Sequence, residues 1–413
     1  MKRSGMIALG ATSIVARSGA KAPEGGTFAL AGGKIYPSPN AAPIEDGLVL
    51  IRHGKIADVG PRAQISIPPG TQTLDCSGLT LVAGFWNSHV HFFERKWANA
   101  AEIPAPELAR QLEEFLTRYG FTSAFDLSSL FENTHRLRER IESGDVPGPR
   151  IRSTGEGIVP PGAVPPDIVG ALMGLMKVPM HEVSDDAQAT AAVQRLVRQG
   201  VDAIKLFASG ARGPALSNTA MQAAVREAHR SAKLVFVHPS NTTDVLAATE
   251  AGVDIVAHTT PSSGAWDAAL LAAMARRRVA LIPTLWLWKY YARHDRASSQ
   301  DKTLDAELTQ LRDFVAAGGT VLFGTDLGAV DPDPGEEYAL MSQAGMSFSQ
   351  ILGSLTTVPA ERFGESSRLG RLAKGFQADL VLLEGDPAKN LGALTAVRYT
   401  VRDGKIIYRA RPR

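Results

Sequence analysis

The sequence feature that most restricts the fold is a regular alternation of short apolar runs with helical patterns between about residues 84 and 364. Such alternation is typical of strand–helix units that build a parallel sheet. Eight runs are predicted as strands: the first ends in His89 and His91, and the others are Phe121–Leu127, Arg150–Thr154, Val201–Phe207, Lys233–His238, Val253–His258, Val279–Thr284 and Thr320–Asp326. Eight strands close a (β/α)8 TIM barrel, which is the α/β fold that we predict.

Both ends of the chain carry a different pattern, in which short apolar segments follow glycine turns. The tripeptide Gly-Lys-Ile occurs behind such turns at residues 33–35, 54–56 and 404–406. We therefore predict that residues 27–83 and 366–413 form one small β-sandwich domain, with the catalytic barrel of residues 84–365 inserted between them. Residues 1–26 are either a disordered tail or a secretory signal peptide, so the cellular compartment stays open.

The composition excludes several classes of protein. The chain has 413 residues, of which 44% are hydrophobic and 21% charged, and a net charge of +2, as in an average globular protein. It has no basic run that would bind nucleic acid and no apolar stretch long enough to span a membrane. Cys76 is the only cysteine, which excludes an internal disulfide and a thiolate metal cluster. A bound metal would need His, Asp, Glu or modified Lys ligands.

Ionisable residues stand at five of the predicted strand ends, where the active site of such a barrel lies. His89 and His91 are two residues apart, so on a strand they project to the same side, as two ligands of one metal ion must. The other strands contribute Lys205, His238, His258 and Asp326. Such groups would be costly in a barrel interior if they were unpaired, so the pattern predicts a metal site.

The order and strand positions of these six residues resemble the amidohydrolase superfamily. Four flanking segments are similar to its imidazolonepropionase-like branch, which includes metal-dependent prolidases: Gly148–Ile151, Glu227–His229, Gly324–Asp326 and Gly370–Val381. The resemblance extends over nearly the whole chain from about residue 28. It implies the barrel fold and hydrolysis of a carbon–nitrogen bond, and it is more specific for the metal chemistry than for the substrate.

The resemblance also implies two divalent metal ions, with zinc as the expected metal. The implied ligands are His89, His91 and Asp326 for one ion, His238 and His258 for the other, and Lys205 as an N-carboxylysine that bridges both. The chemistry of lysine supports this, because a desolvated lysine readily loses its proton and only the neutral amine reacts with carbon dioxide. The alternative is a site with one metal ion, in which Lys205 forms a salt bridge with Asp326.

The implied reaction is attack of a metal-bridging hydroxide on the carbonyl of a small amide. Asp326 would accept the proton of the hydroxide and pass it to the leaving amine, unless it serves as a ligand only. The expected substrate is a dipeptide of the Xaa-Pro type or an N-acyl amino acid. Alternatives are a cyclic amide, as in imidazolonepropionase, and an ester, lactone or carbamate. A metal-binding homologue without activity is the alternative from another class.

Residues that contact the substrate are predicted from their position alone. His135 follows the second strand, and Arg212 follows the fourth and would match a substrate carboxylate. Arg95 and Lys96, after the histidine pair, are further candidates for that task. We expect loops at residues 159–185, 286–291 and 327–337 to shape the pocket. The aromatic residues of the second loop would also suit an interface in a homo-oligomer.

Overall fold

The computed structural model describes residues 27–162, 179–209, 214–294, 300–331 and 333–411. The predicted tail or signal peptide at residues 1–26 and the candidate residue Arg212 lie outside these described residues. Among the described residues, none of the helices combines the length and the apolar character that a membrane crossing requires.

The first part of the described chain forms five strands and one short 3₁₀ helix, Arg62–Gln64. These strands are β1 (Thr27–Ile35), β2 (Ile44–Arg52), β3 (Lys55–Pro61), β4 (Gln72–Asp75) and β5 (Leu79–Ala83). Turns at positive-φ glycines, such as Gly54 between β2 and β3, reverse the chain as the Gly-Lys-Ile pattern predicts.

The central part alternates strands with helices, and this confirms the predicted α/β class. The strands are β6 (Phe85–Val90), β7 (Phe121–Asp126), β8 (Arg150–Ser153), β9 (Ile158–Val159), β10 (His181–Glu182), β11 (Ala203–Phe207), β12 (Leu234–His238), β13 (Ile255–Ala257), β14 (Ala280–Ile282) and β15 (Thr320–Val321). The helices are α1 (Ala105–Phe115), α2 (Phe131–Glu142), α3 (Asp186–Gln199), α4 (Asn218–Arg230), α5 (Thr242–Ala251), α6 (Ala268–Arg277), α7 (Leu285–His294), α8 (Gln300–Ala316), α9 (Pro334–Gln343), α10 (Phe348–Leu355) and α11 (Thr357–Arg362).

The central strands form two parallel sheets within the described residues. One has the order β6-β7-β8, and the other has the order β10-β9-β11-β12-β13-β14-β15. Backbone hydrogen bonds also connect the sheets at two places. The amide of Asp202 donates to the carbonyl of Ser153 (2.8 Å), and the amide of Ser88 donates to the carbonyl of Phe323 (2.8 Å).

The last strands of the chain are β16 (Leu380–Glu384), β17 (Val397–Arg402) and β18 (Lys405–Arg409). They join the first strands in one sheet of order β18-β17-β16-β5-β1-β2-β3, to which β4 is added beside β1. The junction is the antiparallel pair β5–β16, in which Val82 lies opposite Val381. Both chain ends thus share one eight-stranded sheet, whereas the predicted sandwich stays a prediction.

Two predicted loops are wrong in part, because they contain helices. Residues 286–291 belong to α7, and residues 334–337 begin α9. The carboxylate of Glu337 explains the start of α7, since it accepts hydrogen bonds from the backbone amides of Leu285 and Trp286 (2.7 Å for the latter). Free backbone amides at a helix N-terminus need such acceptors. Because Glu337 is distant from α7 in the sequence, the sequence pattern did not reveal it as the acceptor.

Three predicted strands end earlier than expected. His258 directly follows β13, Thr284 lies two residues after β14, and Asp326 lies five residues after β15; their φ angles are 90°, 47° and 58°. Positive φ is incompatible with extended backbone, so the chain turns at these three positions. These three side chains therefore stand on the turns that follow the strands.

An ion-pair cluster around the buried carboxyl of Asp379 joins the end sheet to the central sheets. Arg150 at the start of β8 forms ion pairs with both Asp379 and Asp403, and the amide of Asp403 also donates to Asp379 (2.8 Å). The carboxyl of Asp379 is buried, which raises its pKa against the lowering effect of Arg150.

Replacing Arg150 by Met should therefore lower the free energy of unfolding by about 3–5 kcal/mol, since it leaves the buried carboxylate of Asp379 without a counter-charge. The measurement is the midpoint of urea unfolding, followed by circular dichroism. Arg136→Met is the matched control, because Arg136 pairs with Glu132 and Glu139 on an exposed helix face and should leave the midpoint unchanged. Equal midpoints for the two variants would contradict this assignment.

Candidate metal centre

Three of the predicted ligands meet at the ends of the first and last central strands. The Nε2 atoms of His89 and His91 lie 3.2 and 2.7 Å from Oδ1 of Asp326. All three residues are buried, and one ligand atom from each lies within 4.8 Å of the others, a spacing that can hold a metal ion. Hydrogen bonds from the amide of Asp326 to the carbonyl of His89 and from the amide of His91 to the carbonyl of Leu327 hold the two strand ends together.

The hydrogen bonding of this group fits a shared cation. Within the described residues, Oδ1 of Asp326 has no hydrogen-bond partner, although His91 Nε2 is only 2.7 Å away. The two atoms are close to each other but lack hydrogen-bond geometry. This indicates that the lone pairs of the carboxylate oxygen and of the imidazole nitrogen point to a common position rather than at a proton between them. Buried polar atoms are rarely left unsatisfied, so an ion at that place explains them.

The two remaining histidines stand beside this group. Nε2 of His258 lies 3.9 Å from Oδ2 of Asp326, and its ring centroid lies 4.7 Å from those of both His89 and His238. His258 is buried, whereas His238 keeps part of its surface exposed. The structure thus brings five predicted ligands from four strands into one cluster.

Lys205 is the sixth predicted ligand and the only lysine among them. Its side chain is only 1% exposed, and Nζ has no hydrogen-bond partner among the described residues. No ion pair joins it to Asp326 in the described part of the chain, although the negative charge of Asp326 favours its protonated form. Burial outweighs that effect and lowers the pKa of Lys205 to about 7, so much of the amine is neutral near neutral pH.

Burial has the same effect on three of the histidines, because it favours their neutral form. Burial lowers the pKa of His89 and His258 well below the ordinary value, and the nearby Lys205 lowers both further. The pKa of His238 is also lowered, first by desolvation and then by Lys205. Neutral imidazole offers a lone pair, which a metal ligand requires.

Three strained backbone positions belong to this cluster or contact it. His258 and Asp326 are members, Thr284 contacts His258, and none of the three is a glycine although all have positive φ. Such conformations cost about 1–3 kcal/mol each and persist where surrounding contacts enforce them. The strain at these three positions therefore coincides with the placement of the ligand candidates.

Asp126 is a supporting residue that the sequence analysis missed. It ends β7, is buried, and accepts hydrogen bonds from the hydroxyls of Ser129, Thr134 (3.0 Å) and Ser153 (2.7 Å) and from the amide of Phe92 (3.4 Å). It thereby holds the backbone directly after His91. The only signal was a carboxylate at a predicted strand end, and a single carboxylate there does not reveal its partners.

Aromatic side chains border the cluster. Phe93 stacks on His91 with ring centroids 4.4 Å apart, Phe207 lies 5.3 Å from His238, and Trp288 of α7 lies 5.9 Å from His258. The indole of Trp288 donates to the hydroxyl of Thr259 (3.0 Å), which fixes its orientation. The surroundings of the cluster are therefore suited to apolar groups of a small molecule.

The structure describes only one of the two main candidates for substrate contact. His135 lies on α2, where it stacks on Phe131 (5.6 Å) and its Nε2 is 3.3 Å from Glu139. Contact with a substrate stays a prediction for His135. Arg212 is among residues 210–213, outside the described part of the chain.

The fold is similar to that of several solved structures. One is a Xaa-Pro dipeptidase with methionine bound in its active site, with a TM-score of 0.79 and 21% identity over 93% of this chain and 100% of that chain. Another is a prolidase complexed with N-methylphosphonate-L-proline, with a TM-score of 0.74 and 23% identity over 93% and 100% of the two chains. A third is ochratoxinase from A. niger, with a TM-score of 0.75 and 22% identity over 93% and 96%. At these identities the similarity establishes the fold alone.

Comparison of the sequence with curated proteins gave no match. The model of the amidohydrolase family, in contrast, matches residues 80–408, which include all six clustered residues and most of the described chain. The chain therefore belongs to the amidohydrolase family and is a metal-dependent hydrolase that acts on carbon–nitrogen bonds.

Proposed function

We propose that the protein is a binuclear metal-dependent hydrolase that cleaves the amide bond of a small substrate with a free carboxylate, either a dipeptide of the Xaa-Pro type or an N-acyl amino acid. The observation that carries the proposal is the burial of His89, His91 and Asp326 around a common point, together with Nζ of Lys205, which has no hydrogen-bond partner among the described residues. A buried cluster of imidazole, carboxylate and amine groups with shifted pKa values is expected for a metal-dependent site.

We further propose that the central strands close into an eight-stranded (β/α)8 barrel, formed by β6–β8 and β11–β15. The hydrogen bonds from Asp202 to Ser153 and from Ser88 to Phe323 support this, since they join the two sheets at both edges. In this arrangement residues 84–365 are the catalytic domain, and residues 27–83 and 366–413 are the second domain. The cluster then lies at the carboxyl ends of the strands, where barrel enzymes react.

The six residues would hold two ions in two groups joined by Lys205. The first group is His89, His91 and Asp326, and the second is His238 and His258. The neutral amine of Lys205 can attack carbon dioxide: a C–N bond forms, the nitrogen loses a proton, and the product carries an anionic carboxylate. That carboxylate would be an oxygen ligand for the metal and would replace a cationic side chain by an anionic one.

A bound pair of divalent ions, with zinc as the proposed metal, supplies a Lewis acid for the scissile carbonyl and lowers the pKa of water. The chain itself supplies the proton transfer. Oδ1 of Asp326 is the oxygen that faces the His89–His91 ion position, so the other oxygen, Oδ2, is the one that can accept a proton from the attacking water. Asp326 then donates this proton to the nitrogen of the leaving amine, which leaves as a neutral group.

The aromatic residues Phe93, Phe207 and Trp288 support a substrate with an apolar portion beside the scissile bond. The similarity in fold to a Xaa-Pro dipeptidase and to a prolidase supports the choice of dipeptides.

Uptake of the second ion should depend on carbon dioxide and on pH. Protein freed of metal and exchanged into buffer depleted of carbon dioxide should bind about one zinc per chain, and bicarbonate should raise this to about two. Because burial lowers the pKa of Lys205 to about 7, the neutral amine and hence the bicarbonate effect should increase as pH rises through that value. Elemental analysis after gel filtration measures the stoichiometry.

Lys205→Ala should abolish the bicarbonate effect, and Lys374→Ala, at an exposed lysine, should preserve it. One zinc per chain in the wild type with or without bicarbonate would contradict the binuclear site. It would favour the alternative with a single metal ion.

Replacing Asp326 by Asn should lower kcat by about 10²- to 10⁴-fold, because an amide cannot accept and return the proton. Metal content is measured in the same samples, and the exposed residue Asp186 gives the control variant Asp186→Asn. A variant that keeps its metal and loses less than about tenfold in kcat would leave Asp326 as a ligand only.

The substrate class is tested with pairs of compounds that differ in one group. Xaa-Pro dipeptides and N-acyl amino acids should be hydrolysed with a kcat/KM at least about tenfold higher than that of their methyl esters at the carboxyl end, since the free carboxylate contributes a charged contact. Mass spectrometry of the products identifies the bond that is cleaved. Preference for lactones, cyclic amides or blocked compounds would overturn the proposed substrate.

A further inference from the structure

The ring of His258 makes a contact that the predicted ligand set does not use. Its Nδ1 atom lies 2.7 Å from the hydroxyl oxygen of Thr284, and both residues are buried. Thr284 comes from the neighbouring strand end, directly after β14, and it belongs to none of the ligand positions. The contact is therefore between a ligand candidate and a residue that has no assigned role.

The direction of this hydrogen bond follows from counting protons. The hydroxyl of Thr284 is 2.8 Å from the carbonyl oxygen of Pro283 and donates to it. A hydroxyl has one proton and two acceptor positions, so it can only accept from the ring of His258. We infer that Thr284 is a positioning residue that holds the proton of His258 on Nδ1 and leaves a lone pair on Nε2.

The free lone pair then points to the cluster. Nε2 of His258 is the atom that lies 3.9 Å from Oδ2 of Asp326. His89 and His91 differ, since their Nδ1 atoms have no hydrogen-bond partner among the described residues. Partners of the distal ring nitrogen commonly set the tautomer and orientation of a metal-ligating histidine.

The backbone of Thr284 supports a role for its hydroxyl. Its φ of 47° lies in the left-handed region, which is unfavourable for a β-branched residue and easy for glycine. The conformation is held by the start of α7 at the next residue, where Glu337 accepts the amide hydrogen bonds of Leu285 and Trp286. A strained threonine in place of glycine is understandable if the hydroxyl is needed.

The tautomer can be measured without metal or substrate, so this test is independent of the proposed function. The metal-free protein, labelled with ¹⁵N-histidine, is studied by long-range ¹H–¹⁵N correlation at alkaline pH, and His258→Gln identifies the signals. We expect a protonated Nδ1 and an unprotonated Nε2 in the wild type and in Thr284→Ser. Thr284→Val should lose this pattern, because it keeps the shape and lacks the acceptor.

The control for removing a buried hydroxyl is Thr249→Val, since Thr249 is buried on α5 and its hydroxyl has no partner among the described residues. It should preserve the tautomer of His258. A wild-type spectrum with the proton on Nε2, or an unchanged pattern in Thr284→Val, would overturn the inference. The wild-type spectrum decides even if Thr284→Val does not fold.

The consequence for metal binding rests on the proposed function and is measured separately. Competition with a chelator should show zinc binding about 10- to 100-fold weaker in Thr284→Val than in Thr284→Ser or Thr249→Val. A changed tautomer with unchanged zinc affinity would contradict His258 as a ligand and leave the tautomer assignment intact. An unchanged tautomer with weakened affinity would overturn the role of Thr284.

Discussion

Burial of ionisable groups without protein partners is the constraint around which this structure is arranged. Removing a charge or a polar atom from water is costly unless another group compensates for it. Lys205 responds with a pKa lowered to about 7, and burial also lowers the pKa of His89 and His258. Oδ1 of Asp326 lies beside two imidazole nitrogens and has no hydrogen-bond partner in the part of the chain that the structure describes. A bound cation would compensate for the burial of these groups. The sequence does not show such an ion, so each of the six residues, considered alone, looks unfavourable in a protein interior.

The scaffold holds these groups through short-range contacts at the strand ends. His258, Thr284 and Asp326 adopt backbone conformations with positive φ after their strands, and the side chain of His258 contacts Thr284 and lies 3.9 Å from Asp326. Asp126 fixes the chain after His91, and Glu337 fixes the start of α7. Each of these contacts joins residues from different strand–helix units. The order of the site therefore depends on the packing of the whole central region, and a change far from the cluster in sequence can displace a ligand.

The sheet built from both chain ends also supports the central region. Its strands β5 and β16 pair directly before the first central strand and after the last helix, so they close the chain around the central region. Arg150 connects this sheet to β8 through Asp379 and Asp403. The strand that carries His89 and His91 thus begins at a junction that is held from two sides, by a β-ladder and by the ion-pair cluster around Asp379.

The sequence by itself determined the α/β class, the rough position of eight of the ten described central strands and the identity of the clustered residues. These depend on local patterns: apolar runs of strand length, glycines at turns, and ionisable residues at regular positions. The tertiary structure alone decided where the strands stop, that residues 286–291 form a helix, and which groups support the ligands. Asp126, Thr284 and Glu337 act through partners that are distant in sequence, and a hydroxyl or carboxylate in a local pattern carries no record of such a partner. The proton count at His258 could be made only after Pro283, Thr284 and the imidazole ring had been brought together in space.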